Sequence, residues 1–146
     1  MTPTPSLESC PLCGGPITAF RGTTEVAIGT RRVTVRDAHE RCEACGEGFY
    51  APGQLERLER EAAATVRASE GLLTPDEIRA IRERLGLSQA AFEELLGVGA
   101  KTVVRWERGT VFQNRTTDTL IRAVDAVPGM VPFLERLRRA VPDGVR

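Results

Sequence analysis

Apolar positions along the chain follow two different rhythms. Before residue 50 they come in short alternating runs, and beyond it they recur every three or four residues. Residues 24–28 and 32–36 read as β-strands, with Gly29-Thr30 between them as a turn, so this stretch predicts a hairpin. Leu55, Leu58, Ala62 and Val66 lie on one helical stripe, which predicts a helix over 54–68 that stops at Glu70-Gly71. A second start follows at Thr74-Pro75-Asp76-Glu77. Here Thr can cap, Pro suits the first helical position and Glu77 completes a capping box. Ile78, Ile81 and Leu85 make its buried stripe, and Gly86 supplies the left-handed stop. Ser88 then caps a helix over 89–96 with Phe92, Leu95 and Leu96 inward, Gly97 ends it, and a third helix begins near Ala100. Two more, over 117–127 and 132–140, are divided by Pro128-Gly129.

These elements predict an α+β protein. A small N-terminal ribbon with a β-hairpin and a connecting helix occupies residues 1–70, and an all-α domain of five helices occupies 71–146. The chain has 146 residues, enough for one ordinary domain or two small ones, and the change in composition near Glu70-Gly71 favours two. No run of 18 apolar residues is present, and the first nine residues lack a basic start and an apolar segment, so the expected location is the cytoplasm, without a membrane partner.

All four cysteines fall in the first part, as Cys10-Pro11-Leu12-Cys13 and Cys42-Glu43-Ala44-Cys45. Two residues between the members of a pair let both sulfurs reach one ion, and two such pairs supply the four ligands of tetrahedral zinc. The 28 residues between the pairs accommodate the hairpin, which returns the chain to the metal. Gly14 and Gly46, one after each pair, suit tight turns that aim backbone amides at sulfur. The expectation is one structural Zn2+ per chain on Cys10, Cys13, Cys42 and Cys45. With four sulfurs no coordination position stays open for a reactive water. Buried apolar cysteines or a redox pair are the competing readings, and neither needs two matched pairs. His39, three residues before Cys42, is expected on the surface or behind the ligands.

Charge localises the second candidate chemistry. Twenty basic and twenty acidic side chains cancel, so any attraction to nucleic acid must be local. Residues 98–122 hold Lys101, Arg105, Arg108, Arg115 and Arg122 against only Glu107 and Asp118. On the third helix Thr102, Val103 and Trp106 fall on one side, and Lys101, Val104, Arg105 and Arg108 on the other. With the helix before it and the turn at Gly97-Val98-Gly99, this is the build of a helix-turn-helix, whose second helix enters the major groove of double-stranded DNA. Lys101, Arg105 and Arg108 are then the groove-facing cations. Gln89, Gln113, Asn114 and Arg115 flank them as candidate phosphate contacts. An ordinary helical hairpin with a solvated charged face has the same periodicity.

Leu87-Ser88-Gln89, Leu96-Gly97-Val98 and Arg105-Trp106-Glu107-Arg108-Gly109, in that order and spacing, resemble the Xre/Cro-type helix-turn-helix family. Preceded by the two Cys-x-x-Cys-Gly segments, they make the chain similar to the MqsA-type antitoxins, with their YgiT-type zinc finger, over roughly residues 10–140. The resemblance implies a zinc domain that binds a toxin, typically a ribonuclease. It also implies a C-terminal domain that forms a homodimer on a palindromic operator and represses its own operon. Lys101 and Arg105 fall where the family places its two base-reading side chains. The familiar pattern has Asn at the position of Lys101, which implies a different operator. An orphan zinc-ribbon regulator without a toxin is the alternative. No catalytic constellation is visible, and an enzyme is not expected.

Overall fold

The structure, a computed structural model, describes residues 6–141. Three strands, β1 (Ile17–Ile28), β2 (Arg31–Cys42) and β3 (Gly48–Phe49), are followed by six helices. These are α1 (Gln54–Glu70), α2 (Pro75–Arg84), α3 (Gln89–Leu96), α4 (Thr102–Arg108), α5 (Arg115–Ala126) and α6 (Met130–Arg139). The fold is α+β, and five of the helices follow Gly71. The chain divides into two compact units, one ending at Thr65 and the other beginning at Val66, so α1 contributes to both.

In the first unit the sheet is antiparallel in the order β1-β2-β3. Gly29 takes φ 60° at the hairpin tip. β1 and β2 are each 12 residues long and extend well beyond 24–28 and 32–36. Asp37 is the reason the alternation fades. It occupies an inward position opposite Gly22 and is buried, with the Tyr50 hydroxyl donating to its Oδ2 at 2.8 Å and His39 Nδ1 at 3.1 Å from the same oxygen. A polar cluster thus fills the place where the pattern requires a hydrophobe. A Cβ at Gly22 would lie 2.8 Å from the tip of the Phe20 ring, which would have to shift. Further along, Val35, Leu58 and Ala62 are buried together, with Val26, Ile28, Val33 and Tyr50 against them. Leu55, on the predicted stripe, is exposed. With two residues, β3 is too short to carry a period.

The second unit is built around Ile78, Ile81, Phe92, Leu95, Leu96, Val103, Trp106, Ile121, Val124 and Leu134. Caps set its boundaries. Thr74 and Glu77 form the reciprocal capping box of α2, and Ser88 accepts the Ala91 amide at 3.1 Å to start α3. Asn114 accepts the Thr117 amide at 2.8 Å, which starts α5 two residues before the expected Thr117. Gly129, at φ 84°, starts α6 at Met130 rather than Pro132. Gly97 ends α3 at φ 73° and Gly109 ends α4 at φ 83°. No helix among the described residues is long and apolar enough to cross a membrane.

Candidate metal centre and nucleic-acid interface

The hairpin brings the two cysteine pairs together, because Ile17 lies opposite Cys42 at the open end of the β1-β2 ladder. Each pair then folds in the same way. The amide of Gly14 donates to the Cys10 carbonyl at 2.8 Å, and that of Gly46 to the Cys42 carbonyl at 2.9 Å. The Cys10 amide donates to the Gly15 carbonyl at 2.9 Å, as the Cys42 amide does to Glu47. Both repeats turn on a left-handed glycine, Gly14 at φ 75° and Gly46 at φ 78°. The two turns are joined by the Glu43 amide donating to Pro16 at 3.0 Å.

The ligand atoms of Cys10, Cys13, Cys42 and Cys45 all lie within 4.8 Å of one another, a grouping that can hold a metal ion. Sγ of Cys10 is 3.8 Å from that of Cys45, and Sγ of Cys13 is 3.5 Å from that of Cys42. A tetrahedron with metal–sulfur bonds of ~2.3 Å has edges of ~3.8 Å, close to these two separations, so the four thiols are of the kind and grouping that could hold a tetrahedral metal ion. Amides of Gly15 and Cys45 point at Sγ of Cys13 and Cys42, at 3.4 and 3.5 Å. Gly15 also closes over the cluster, since a Cβ there would come within 3.0 Å of Cys42 Sγ and 3.2 Å of Cys13 Sγ. Protons are held unequally. The Cys45 amide, above all, pulls the Cys42 thiol down to about 6. Cys13 is pushed up to about 12: the Gly15 amide acts against the shift, but its contact with Cys42, burial and the other thiols outweigh it. Cys45 is raised as well, the Glu47 amide opposing and burial prevailing. Cys42 is thus ready as a thiolate, while Cys13 and Cys45 hold protons that a divalent thiophilic ion at the centre would displace.

His39 stands apart from this cluster and is not a surface residue, its side chain being only 6% exposed. Its ring lies between Phe20 and Tyr50, with centroids 4.7 and 4.6 Å away, and its Nδ1 faces Asp37.

In the second unit α3 and α4 make the helix-turn-helix. Val103 and Trp106 are buried while Lys101, Arg105 and Arg108 are exposed, and those three form no ion pair among the described residues. The intervening acid, Glu107, is turned inward. Arg82 Nε donates to its Oε1 at 2.6 Å, Gln89 Nε2 to its Oε2 at 2.8 Å, and Arg79 stands 3.5 Å from Oε2. Burial alone would raise this carboxyl, but Arg82 and Gln89 bring it below its ordinary value. Glu93 accepts the Val103 amide at 3.0 Å and holds the start of α4. The two acids that could neutralise the outer face are therefore spent elsewhere, since Asp118 is paired with Arg122 at 2.8 Å.

The flanking candidates separate. Gln113 is buried, with Nε2 donating to the Leu73 carbonyl and to Asp118, so it lies in the interior and not on the outer face. Gln89 is engaged with Glu107, and Asn114 is the cap of α5. Arg115 is exposed, its guanidinium 3.4 Å from the Glu70 carbonyl. Sequence reasoning missed the polar supports Arg82, Glu93 and Arg67. Arg67 is buried and donates to the Val111 carbonyl at 2.7 Å, a partner 44 residues away that leaves no local sequence signal.

Comparison with known proteins adds to this geometry. The family described as the antitoxin component of a bacterial toxin-antitoxin system, MqsA, matches residues 8–138. Antitoxin HigA-2 of Vibrio cholerae serotype O1 (strain ATCC 39315 / El Tor Inaba N16961) is 32% identical over 65 residues. That match covers 44% of this chain and 62% of the relative's length.

Proposed function

The chain belongs to the MqsA family of antitoxin components, and from that premise we propose that it is the antitoxin of a type II toxin–antitoxin pair and represses its own operon. In this reading the first unit carries one structural Zn2+ on Cys10, Cys13, Cys42 and Cys45 and binds the toxin, a ribonuclease. The second unit lays α4 in the major groove of a palindromic operator. Lys101 and Arg105 read base edges, and Arg108 and Arg115 hold phosphates.

The observation that carries the reading is the surface of α4. Three cations on or at the start of the helix are exposed and form no ion pair among the described residues, while the helix's other side is fixed by Val103, Trp106 and the buried Glu107 network. A solvated hairpin face would not need that support. Dimerisation is supported by Val127, Phe133 and Leu137, which stay exposed on or beside the last two helices. A two-fold axis would repeat α4 on two half-sites one helical turn apart, or a multiple of it.

The experiment is a mobility shift with the chain's own promoter, paired with sedimentation of the free protein and of its mixture with the product of the adjacent reading frame. The expected result is a dimer that shifts the promoter and binds that product. A monomer that shifts no promoter fragment would refute the repressor reading. A promoter-binding dimer with no protein partner would leave an orphan regulator.

A further inference from the structure

The outward face of α4 carries one side chain that its charge does not account for. Val104 lies on that face with Lys101, three residues before it, and Arg108, four residues after it, while Arg105 follows it on the same turn. It is half-buried, whereas its neighbour Val103 is fully buried. Val103 belongs to the core of the helical unit, and Val104 packs against none of the hydrophobic clusters among the described residues.

Folding gives no reason for a valine here. A β-branched side chain is restricted at its first torsion in a helix, and it forms helix less readily than the Lys, Arg, Glu or Ala that suit a solvated face. Val104 nevertheless sets two methyl groups among exposed cations, in a helix of only seven residues. In the major groove such an apolar edge has one counterpart. Thymine alone of the four bases presents a methyl group there, whereas cytosine presents an amino donor and the purines present polar edges. Contact with the methyl removes apolar surface of both partners from water. Against cytosine the same side chain would leave the amino group without an acceptor.

We propose that Val104 reads a thymine in each half-site of the operator, through contact with its 5-methyl group, beside the base pairs that Lys101 and Arg105 contact. The inference rests on the repressor reading above and adds to it a base recognised by a methyl group and not by a hydrogen bond. Preference at that position then falls in the order thymine, uracil, cytosine.

The test titrates the full-length chain with its own promoter, uracil replacing thymine at one position at a time on either strand. That exchange keeps the base pair and removes only the methyl. One position, repeated by symmetry in the two half-sites, is expected to stand out with binding about fourfold weaker per half-site, the effect of one buried methyl group. A cytosine–guanine pair there should weaken binding further. In Val104→Ser the same uracil exchange should change affinity by less than about twofold, since the contact is already gone. The Trp106 melt of this variant should match the parent, because Val104 lies outside the core. A scan of the parent in which no thymine stands out would overturn the inference and leave the repressor reading intact, and it needs no variant to fold. A methyl effect that persists undiminished in Val104→Ser would also overturn it. A parent chain that binds promoter and scrambled duplex alike would overturn the repressor reading itself, and this contact with it.

Discussion

Lys101 holds φ 62° and ψ 11°, the left-handed region, and is the one non-glycine residue to do so among the described residues. No side-chain hydrogen bond caps α4 there. An ordinary side chain in that region costs roughly 1–2 kcal/mol, less for Asn, whose short amide tolerates it. The resemblance places Asn at this position, and the backbone gives a physical reason for it. Lys101→Gly should therefore raise the melting temperature of the helical unit by a few degrees while weakening operator binding about tenfold. Thermal melts and DNA titrations check the two together, and a variant neither more stable nor weaker on DNA would separate strain from recognition. What was legible was placement: the four cysteines come together, and Lys101, Arg105 and Arg108 are exposed opposite Val103 and Trp106. Placement was illegible where burial redirects a polar group. Gln113, next to the capping Asn114, looks like a loop side chain in the sequence, yet Leu73 and Asp118 hold it inside.

Among the elements, α4 depends on a charge it buries. Glu107 is 6% exposed, and Arg82 and Gln89 hold its carboxyl below the ordinary value although burial alone would raise it. Asp118 is likewise held low: burial opposes this, and Arg122, the Leu73 amide and Gln113 overcome it. A carboxyl lowered in the folded state contributes stability that is complete above its unfolded pKa, about 4, and is lost as pH falls through the folded value. Trp106, the single tryptophan, sits in the core of the same unit and reports on it alone. Its melt should weaken as pH drops below about 4, and Glu107→Gln should flatten that dependence. Glu107→Ala strands Arg82 without its carboxylate and should cost ~3–5 kcal/mol. In the cysteine turns the dependence is on metal. Cys45→Ser should abolish one bound zinc per chain by elemental analysis and unfold the hairpin unit, leaving the Trp106 transition in place. Helix starts were readable because Thr74 and Ser88 cap in the usual way. The strands were underestimated because Asp37 and His39 interrupt the alternation over a ladder that continues to Cys42.

At the scale of the whole molecule, the compact units divide between Thr65 and Val66, whereas the composition break suggests Gly71. The last turn of α1 explains the difference. Val66 is buried, Arg67 donates to the Val111 carbonyl, and Arg115 and Arg122 reach the carbonyls of Glu70 and Gly71. A fragment of residues 66–146 should therefore be more stable than one of 71–146 by ~1–2 kcal/mol, the order expected for one buried valine, in urea melts followed at Trp106. Equal stability would show that this turn contributes nothing to the helical unit.

Base reading by Arg105 in the proposed operator complex is separable from phosphate contact by one titration. The full-length chain and Arg105→Ala are each titrated with the chain's own promoter and with a scrambled duplex at physiological salt. The parent is expected to prefer the promoter, and Arg105→Ala to lose that preference by about 1–3 kcal/mol per half-site while its weak binding to the scrambled duplex persists. Equal losses on both duplexes would make Arg105 a phosphate contact and rule out its reading of bases.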